Sequence, residues 1–445
     1  MPYTSGTRLP GETASKLGHL SVVQSEWVQA LVKEFEQAGP AKQDPSNTLW
    51  TEFDPSEITP LRNVWATDGS FVSIKTSDKP AREVAFVKTA LLTVDRTRLE
   101  QIDKEHPHPL LLQEVLTNSA IFHATVFPLK NIRTPLGTNY EAVRHIVRDS
   151  MKIDEQGAFY ETLKWIAYQK WRTGSTASPA FECPHCNARI ETGLSYDADE
   201  GSCHGCGKRV YLTDMIGFHL DMDEGSAPDS VASSYMLVME LLMLFTAIRL
   251  LWHHTDQHVL SDTLFIKDGP LTLRGQYSKL IPSIRAFLQY AKAQGRTIHV
   301  IGQEKTGAFF DHLAGIVRFA PPQTRGENAN YAVLSHSYVR REVYRSPDLL
   351  NPYGKRTNWG EKVFLKIDPG CYMVLNVPTG EYNPDETFPQ ASDLIGLSRI
   401  LATIPRIVSH KFEGALFPVE LANGIASMSS YPSAKILERF IQGRT

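Results

Sequence analysis

The stretch 263-TLFIKDGPL-271 decides the fold class of this 445-residue chain. Its apolar run predicts a fully buried strand that ends at Asp268, where Gly-Pro stops it. A helical pattern over 276–294 and a second apolar strand at 298–302 follow. Because a strand, a helix and a further strand in this order form a right-handed parallel crossover, the predicted class is mixed α/β.

Weaker patterns on both sides extend this unit. Residues 64–75 have the pattern of two short strands on either side of a turn at Asp68-Gly69-Ser70, and residues 83–94 that of another strand. The predicted organisation is a helical arm with its linker, a core in two parts, and a cysteine-bearing insert. The predicted bounds are 1–60 for the arm and linker, 61–175 and 215–445 for the core, and 176–214 for the insert.

The composition indicates a folded protein, with 42% hydrophobic and 21% charged residues. The formal net charge of −3 gives no global attraction to nucleic acid, so DNA binding would need a local patch or a partner. Residues 1–16 lack an apolar stretch, which predicts no signal peptide. The longest apolar run, 235–252, contains Glu240 and Arg249, which favours a buried core helix over a membrane span. We therefore expect a cytoplasmic protein with no membrane partner.

Four of the five cysteines form two Cys-X-X-Cys pairs that are separated by 16 residues. Each pair can direct two thiolates at one point, and four thiolates complete the tetrahedral site of a structural zinc ion. The alternative, two redox-active dithiols, lacks a surrounding thioredoxin-like unit. Strand-like residues 188–193 and 208–212 predict a ribbon hairpin, and His185 and His204 are expected to be bystanders. The predicted zinc ligands are Cys183, Cys186, Cys203 and Cys206.

Two aspartates are predicted to end strands. Asp68 precedes Gly-Ser and Asp268 precedes Gly-Pro, so both carboxylates are expected at the edge of an α/β sheet where binding sites form. Two acids in such positions are natural ligands for a hard divalent cation. The alternative for either residue is that Asp-Gly is simply a common turn dipeptide.

Glu240 is a third candidate because its helical neighbours at three and four positions are all apolar. Arg249, nine residues further along the helix, would lie on the opposite face. A buried carboxylate without a local partner indicates either a metal ion or an Arg or Lys from elsewhere in the fold, and both remain open here. A rival acidic run lies in a Gly/Ser/Pro-containing connector and is predicted to be solvated. It consists of Asp221, Asp223 and Glu224.

These motifs, in this order, resemble those of the NurA nuclease family, DNA end-processing enzymes with a ribonuclease-H-like fold. The resemblance covers about residues 60–430 and implies a mixed sheet with flanking helices, interrupted here by the zinc ribbon. The matching segments are those around Asp68, Glu240 and Asp268, followed by 298-IHVIGQEKT-306 and 416-LFPVELANGIAS-427.

The resemblance also implies roles for individual residues. Lys305 would lie near the phosphates of bound DNA. The family usually has a histidine where this chain has Ala422-Asn423, and Asn423 can hydrogen-bond but cannot shuttle a proton near neutral pH. His410, thirteen residues before Asn423, is a candidate substitute. The implied ligands of a catalytic Mn²⁺ or Mg²⁺ are Asp68, Glu240 and Asp268.

The leading hypothesis is therefore a Mn²⁺- or Mg²⁺-dependent deoxyribonuclease, acting as an exonuclease, a single-strand endonuclease or both. The resemblance implies a homodimer that works with a HerA-type hexameric DNA-translocating ATPase in DNA end processing, repair or antiviral defence. The second hypothesis is a catalytically weak DNA-binding or assembly subunit that uses its zinc ribbon for recognition. An amphipathic helix over 13–38 is predicted either to contact a partner or to fold back on its own domain.

Overall fold

A computed structural model of the chain describes residues 22–37, 49–76, 79–100, 120–154, 156–174, 177–222, 229–345, 353–409, 414–428 and 433–442. The chain divides into two compact units, Met1–Ser46 and Asn47–Thr445. The described part of the first unit contains helix α1 (Glu26–Gln37), which lies within the predicted helix 13–38. Residues 13–21 and 38 of that prediction lie outside the described residues.

The described residues of the second unit form one nine-stranded sheet and two small hairpins. Strands β5 and β6 make one hairpin and β7 and β8 the other, and the remaining strands belong to the sheet. The strands are β1 (Thr51–Phe53), β2 (Asn63–Lys75), β3 (Glu83–Asp95), β4 (Ala120–Lys130), β5 (Phe181–Glu182), β6 (Arg189–Ile190), β7 (Glu200–Ser202), β8 (Arg209–Tyr211), β9 (Thr263–Asp268), β10 (His299–Glu304), β11 (Ala329–Val333), β12 (Glu361–Asp368) and β13 (Cys371–Val377).

Helices cover both faces of the sheet. They are α2 (Arg96–Leu99), α3 (Asn139–Ser150), α4 (Ala158–Ala167), α5 (Asp229–Trp252), α6 (Gln257–Ser261), α7 (Ile281–Ala293), α8 (Ala308–Ile316), α9 (His336–Tyr338), α10 (Leu397–Thr403), α11 (Phe417–Ala426) and α12 (Ser433–Ile441). Short 3₁₀ helices cover Leu212–Ile216, Phe218–Asp221, Gly275–Leu280, Val317–Phe319, Ala391–Asp393 and Ile404–Arg406, and a π-helical turn covers Val339–Val343.

The strand order is β1-β11-β12-β13-β10-β9-β2-β3-β4. Strands β2, β9 and β10 run parallel to one another, and all other neighbouring pairs in the sheet are antiparallel. The predicted crossover is therefore present as β9–α7–β10. The predicted fold class, a mixed α/β sheet with flanking helices, is confirmed, and two small cysteine-bearing hairpins lie where one ribbon hairpin was predicted.

Residues 64–75 form one strand rather than two. Strand β2 runs without interruption through Asp68-Gly69-Ser70, and each of its 13 residues pairs with β3. The predicted turn at Asp68 is therefore wrong, because pairing along the whole of β3 outweighs the local turn preference of Asp-Gly. Parallel pairing between β2 and β9 ends at Thr67, so β2 continues with β3 beyond the edge of the central strands.

The two faces of the sheet pack into different cores. On one face, Val87 and Leu91 of β3 pack with α5 and α7, and on the other, Ala66 of β2 and Ile266 of β9 pack with α10 and α11. Helix α5 is long and apolar enough to span a membrane, but 83% of its apolar window is buried inside the protein. It is a core helix, as the sequence predicts.

Candidate functional site at the carboxyl edge of the sheet

Asp68 and Asp268 occur at the same edge of the sheet. Asp268 is the last residue of β9, and Asp68 directly follows Thr67, the last β2 residue that pairs with β9. Side chains alternate between the two faces of a strand. Because Ala66 and Ile266 pack in the α11 core, both aspartates project toward that face. The expectation that Asp268 ends a strand is confirmed, whereas Asp68 reaches the edge from within a strand.

Lys305 lies beside this pair of aspartates. It directly follows β10, the strand next to β9, and its Nζ is 2.8 Å from Oδ1 of Asp268. Both side chains keep about a third of their surface exposed, at 31% and 28%. Lys305 is therefore close to the acids and also accessible from solvent.

Glu240 approaches the same strands from the opposite face. Its Oε2 is 2.7 Å from Nζ of Lys267, and both side chains are almost completely buried. Lys267 Nζ also donates to the main-chain oxygen of Asp268 at 2.7 Å. Glu240 therefore has a lysine partner from elsewhere in the fold, which is one of the two alternatives that the sequence leaves open. Burial raises the pKa of Glu240, and the charge of Lys267 opposes this shift.

The close approach of α5 to β2 depends on Gly69. A Cβ atom at this position would lie 2.6 Å from Cγ of Met236 and 2.7 Å from Oε1 of Glu240. Both distances are shorter than van der Waals contact, so any side chain here would have to displace α5. Because Gly69 has no side chain, the Glu240 carboxylate can lie against the backbone of β2 next to Asp68.

The surroundings of Asp68 disfavour its charged form. This residue is 5% exposed, and its Oδ1 accepts a 2.7 Å hydrogen bond from the N–H of Gly69. Its Oδ2 is buried without a hydrogen-bond partner among the described residues. Burial raises the pKa of Asp68 to about 7, and the negative charges of Asp268 and Glu240 add to the shift. The three carboxylates therefore interact electrostatically.

The donor set fits a hard divalent cation. Three carboxylates and two lysines leave an excess of one negative charge when all are ionised, and Asp68 provides a buried oxygen without a partner. Carboxylate oxygens are the ligands that Mg²⁺ and Mn²⁺ prefer, and a cation would relieve the repulsion that raises the pKa of Asp68. Because Lys267 already binds Glu240, the oxygens of Asp68 and Asp268 are the best placed to act as ligands.

The remaining predicted catalytic residue lies on α11, which crosses the aspartate face. Asn423 is exposed, whereas its neighbour Ala422 is buried against the sheet. The end of this helix is attached to β3, where Nζ of Lys88 donates to the main-chain oxygen of Ile425 at 2.6 Å. His410, the candidate substitute for the family histidine, lies outside the described residues.

Only one residue of the rival acidic run, Asp221, is among the described residues. Asp221 accepts a 2.6 Å hydrogen bond from the hydroxyl of Tyr277, so it has a local partner. Asp223 and Glu224 lie outside the described residues. The acids whose charges act on Asp68 are Asp268 and Glu240.

The four cysteines form a second cluster, which has the geometry of a zinc site. Their Sγ atoms all lie within 4.8 Å of one another, at 3.8 Å for Cys183–Cys206 and 3.7 Å for Cys186–Cys203. A tetrahedral ion with Zn–S bonds of about 2.3 Å separates its sulfurs by about 3.8 Å, whereas a disulfide requires about 2.05 Å. The first cysteine of each pair also accepts a hydrogen bond from a backbone N–H two residues later. Burial raises the pKa of Cys183, whereas backbone hydrogen bonds from Cys206 and Gly205 lower the pKa of Cys203 to about 6. The predicted ligands therefore fit a structural zinc ion.

The hairpins that carry the cysteines differ from the predicted ribbon. Residues 189–190 and 209–211 were expected to pair with each other, but each pairs with its own neighbour, 181–182 and 200–202 respectively. Each hairpin therefore holds one Cys-X-X-Cys pair in its loop, and the two loops meet at the sulfur cluster. His185 is not part of that cluster, because its Nε2 lies 3.0 Å from the main-chain oxygen of Arg209.

A buried ion pair attaches the hairpins to the body of the protein. Nε and Nη2 of Arg144 donate to the two carboxylate oxygens of Asp214 at 2.9 and 2.8 Å. The hydroxyl of Tyr140 donates to the main-chain oxygen of Pro184 at 2.6 Å. Phe181 and other apolar residues of the hairpins belong to the same core as α5. The cysteine hairpins are therefore integrated with the core rather than looped out from it.

Sequence reasoning missed the roles of Lys267 and Gly69. The signal for Lys267 is its position in β9, where a lysine interrupts a run of buried residues and therefore requires a buried partner. The sequence contains no comparable signal for Gly69, because Asp-Gly-Ser has the composition of an ordinary turn.

Comparisons with known proteins do not add a functional assignment to this geometry. No family model matches the chain, and a search of curated proteins finds no match. Among solved structures, the crystal structure of the NurA nuclease from Sulfolobus solfataricus aligns with 96% of this chain and 97% of that chain. The TM-score is 0.36 and the sequence identity 10%, values at which the likeness carries no argument. The function proposed below therefore depends on the contacts of the site and on the sequence motifs.

Proposed function

We propose that this chain is a nuclease that hydrolyses phosphodiester bonds in DNA with Mn²⁺ or Mg²⁺. The observation that carries the proposal is the meeting of Asp68 and Asp268 at one edge and face of the sheet, beside Lys305. A divalent cation bound to such a pair supplies an activated water and neutralises charge on the scissile phosphate. The sequence resemblance to NurA nucleases supports the same reading.

Each side chain then has a defined task. Asp68 and Asp268 hold the cation through their carboxylate oxygens. Lys305, which is partly exposed, can exchange its contact with Asp268 for a phosphate oxygen and stabilise the negative charge that develops there. Glu240 and Lys267 lie on the other face of the strands, where their ion pair fixes the end of β9. The Glu240 carboxylate also contributes to the raised pKa of Asp68.

The proposal extends to cofactors and partners that the sequence suggests. A structural zinc ion is held by the four cysteines, and the enzyme acts as a cytoplasmic homodimer with a HerA-type ATPase. The net charge of −3 supports the need for such a partner, because phosphate contacts dominate DNA affinity. Light scattering tests the dimer, and co-purification with a co-expressed ATPase tests the partner.

A second candidate is a DNA-binding or assembly subunit with weak cleavage. Two observations favour it: Oε2 of Glu240 is already bound by Lys267, and Asn423 stands where the family usually has a histidine. Such a subunit would bind DNA, with its zinc hairpins available for recognition, without cutting it efficiently.

Cleavage of labelled linear duplex and single-stranded DNA with Mn²⁺, Mg²⁺ or EDTA tests the nuclease. We expect Asp68→Asn and Asp268→Asn to lose at least about a thousandfold in rate, because each removes a charged ligand. Asp368→Asn is the matched control, since Asp368 ends β12 as Asp268 ends β9, and asparagine can keep its hydrogen bond to Gly370. The control should cut at the parent rate.

The outcomes separate the two candidates. Binding of DNA without cleavage under any of these ions would favour the assembly subunit. If Asp68→Asn cleaves at the parent rate, the active site does not lie at this edge of the sheet. If Glu240→Gln cleaves at the parent rate, Glu240 has no role in cleavage.

A further inference from the structure

The sheet face that carries Asp68 continues along β3 and β4. Paired residues share a face, so Asp68 lies level with Ala90 of β3 and Phe122 of β4. Lys88 follows on the same face, beside the end of α11, where it binds the main-chain oxygen of Ile425. Helix α11 packs across β2, β3 and part of β4, and α12 packs against β2, so the open part of this face lies where Phe122 and Val126 of β4 are exposed.

An exposed aromatic ring dominates this open strip. Phe122 is 61% exposed, and Nζ of Lys88 lies 5.0 Å from the centre of its ring. Further along the strip, Phe86 is partly exposed and is paired with Val126, which is 42% exposed. A row of apolar and aromatic side chains with a lysine between them, on a face next to a candidate active site, indicates a binding surface.

The same strands end in a positively charged tip. Strands β2 and β4 extend to Lys75 and Lys130, which both pair with Glu83 of β3 and therefore start from the face opposite Asp68, at the end of the strands. Segments 70–90 and 120–138 together contain six Lys or Arg residues and two carboxylates, a net charge of +4 within a chain whose net charge is −3. Nζ of Lys75 pairs with Oε1 of Glu83 at 2.8 Å. Among the residues that the structure describes, no carboxylate pairs with Lys130 or Arg133. Segments 70–90 and 120–138 therefore provide a local positive patch, which a chain of negative net charge needs in order to bind nucleic acid.

We propose that this strip and its tip form a platform for single-stranded nucleic acid that leads one strand to Asp68; this inference rests on the nuclease function proposed above. An unpaired base stacks on Phe122, while Lys88 and the cations of the tip contact phosphates. Stacking on an exposed ring requires a base that is free of its complementary strand, so the platform selects single strands over duplex. From Asp68 to Lys75, β2 extends for about 23 Å at about 3.3 Å per residue, which leaves room for several nucleotides.

Fluorescence anisotropy of a labelled oligothymidylate of about 12 nucleotides tests the platform, with the full chain in buffer without added Mg²⁺ or Mn²⁺. We expect Phe122→Ala to weaken binding by about tenfold, Phe122→Leu by a similar factor, and Phe122→Trp to preserve it, because stacking needs a ring. Lys130→Gln should lower the slope of log affinity against log salt by about 0.7, the value for one phosphate contact on a single strand.

Ile121→Ala is the matched control. Ile121 is the neighbouring residue on the same strand and is 57% exposed, but it projects from the opposite face of β4. It should bind the probe as the parent chain does. Light scattering of every variant detects any change in oligomeric state, and a duplex of the same length should compete poorly.

Each result supports or overturns the platform. Parent-like affinity of Phe122→Ala, equal weakening by Ile121→Ala, or equal competition by duplex would overturn it. A change in oligomeric state of Phe122→Ala with unchanged DNA affinity would make the strip a protein interface instead. If the parent chain cleaves DNA but Phe122→Ala binds the probe as the parent does, only the platform proposal is wrong. If binding depends on Phe122 but no divalent ion supports cleavage, only the proposed nuclease function is wrong.

Discussion

The two candidate metal sites of this protein are built in opposite ways. The cysteine cluster comes from one segment, 183–206, whereas Asp68 and Asp268 are 200 residues apart in the sequence. The acid site carries its own cations, because Lys267 and Lys305 each contact one of its carboxylates. Four clustered thiolates instead depend on a metal ion for charge compensation. Metal removal should therefore unfold the first site and leave the second folded.

Loss of zinc is the largest effect that we expect. Purified, reduced protein should hold one zinc ion per chain, and Cys183→Ser should lose it, because a structural zinc site contributes about 10 kcal/mol of apparent binding free energy. Since the hairpins share the α5 core and the Arg144–Asp214 ion pair, the thermal unfolding midpoint of the whole unit should fall. Elemental analysis and calorimetry measure both. Cys371→Ser, outside the cluster, is the control that should retain zinc.

Lys267→Met tests whether the acid site depends on its internal cation. This change removes the partner of Glu240 and leaves a buried carboxylate unpaired, which should cost about 3–5 kcal/mol in the free energy of unfolding. Urea denaturation measures the loss. The double variant Lys267→Met/Glu240→Gln should recover most of it, and failure of that rescue would show that Lys267 stabilises the fold by other means.

The raised pKa of Asp68 predicts that the stability of the parent chain depends on pH. The carboxyl is protonated below about pH 7 when folded, but only below about pH 4 when unfolded, so the folded state binds the proton more tightly. Stability should therefore fall as pH rises from about 4 to 7, by up to about 4 kcal/mol, without added divalent cation. Asp68→Asn should lack this component, as urea denaturation across the range would show. If the stability of the two proteins depends on pH in the same way, the pKa of Asp68 is not raised in the folded state.

Gly69→Ala has the smallest expected effect. The new Cβ would meet Met236 and Glu240, so the free energy of unfolding should fall by about 1–3 kcal/mol and cleavage should slow as Glu240 is displaced. Gly315→Ala on α8 is the control, because nothing lies within 4 Å of its Cβ position, and it should be neutral or slightly stabilising. Equal stability of the two variants would show that α5 and β2 can separate without cost.

Local sequence predicted the parts of the molecule that depend on near neighbours. The apolar strand that ends at Asp268, the crossover to β10, the buried helix around Glu240 and the meeting of the four cysteines are present as predicted. These predictions succeed because periodicity and ligand spacing act over a few residues. The predicted turn at Asp68 fails because a paired strand on β3, distant in sequence, overrides the preference of a dipeptide.

The sequence by itself therefore determined the α/β class, the clustering of the four cysteines and the candidate acids. The tertiary structure alone decided that Lys267 neutralises Glu240, that Gly69 lets α5 approach β2, and that Lys305 contacts Asp268. Pairing of charges depends on which strands become neighbours in the sheet, and the strand order places β9 between β2 and β10 across long stretches of chain. Such distances are fixed by packing and not by spacing along the sequence, which is why no local pattern could supply them.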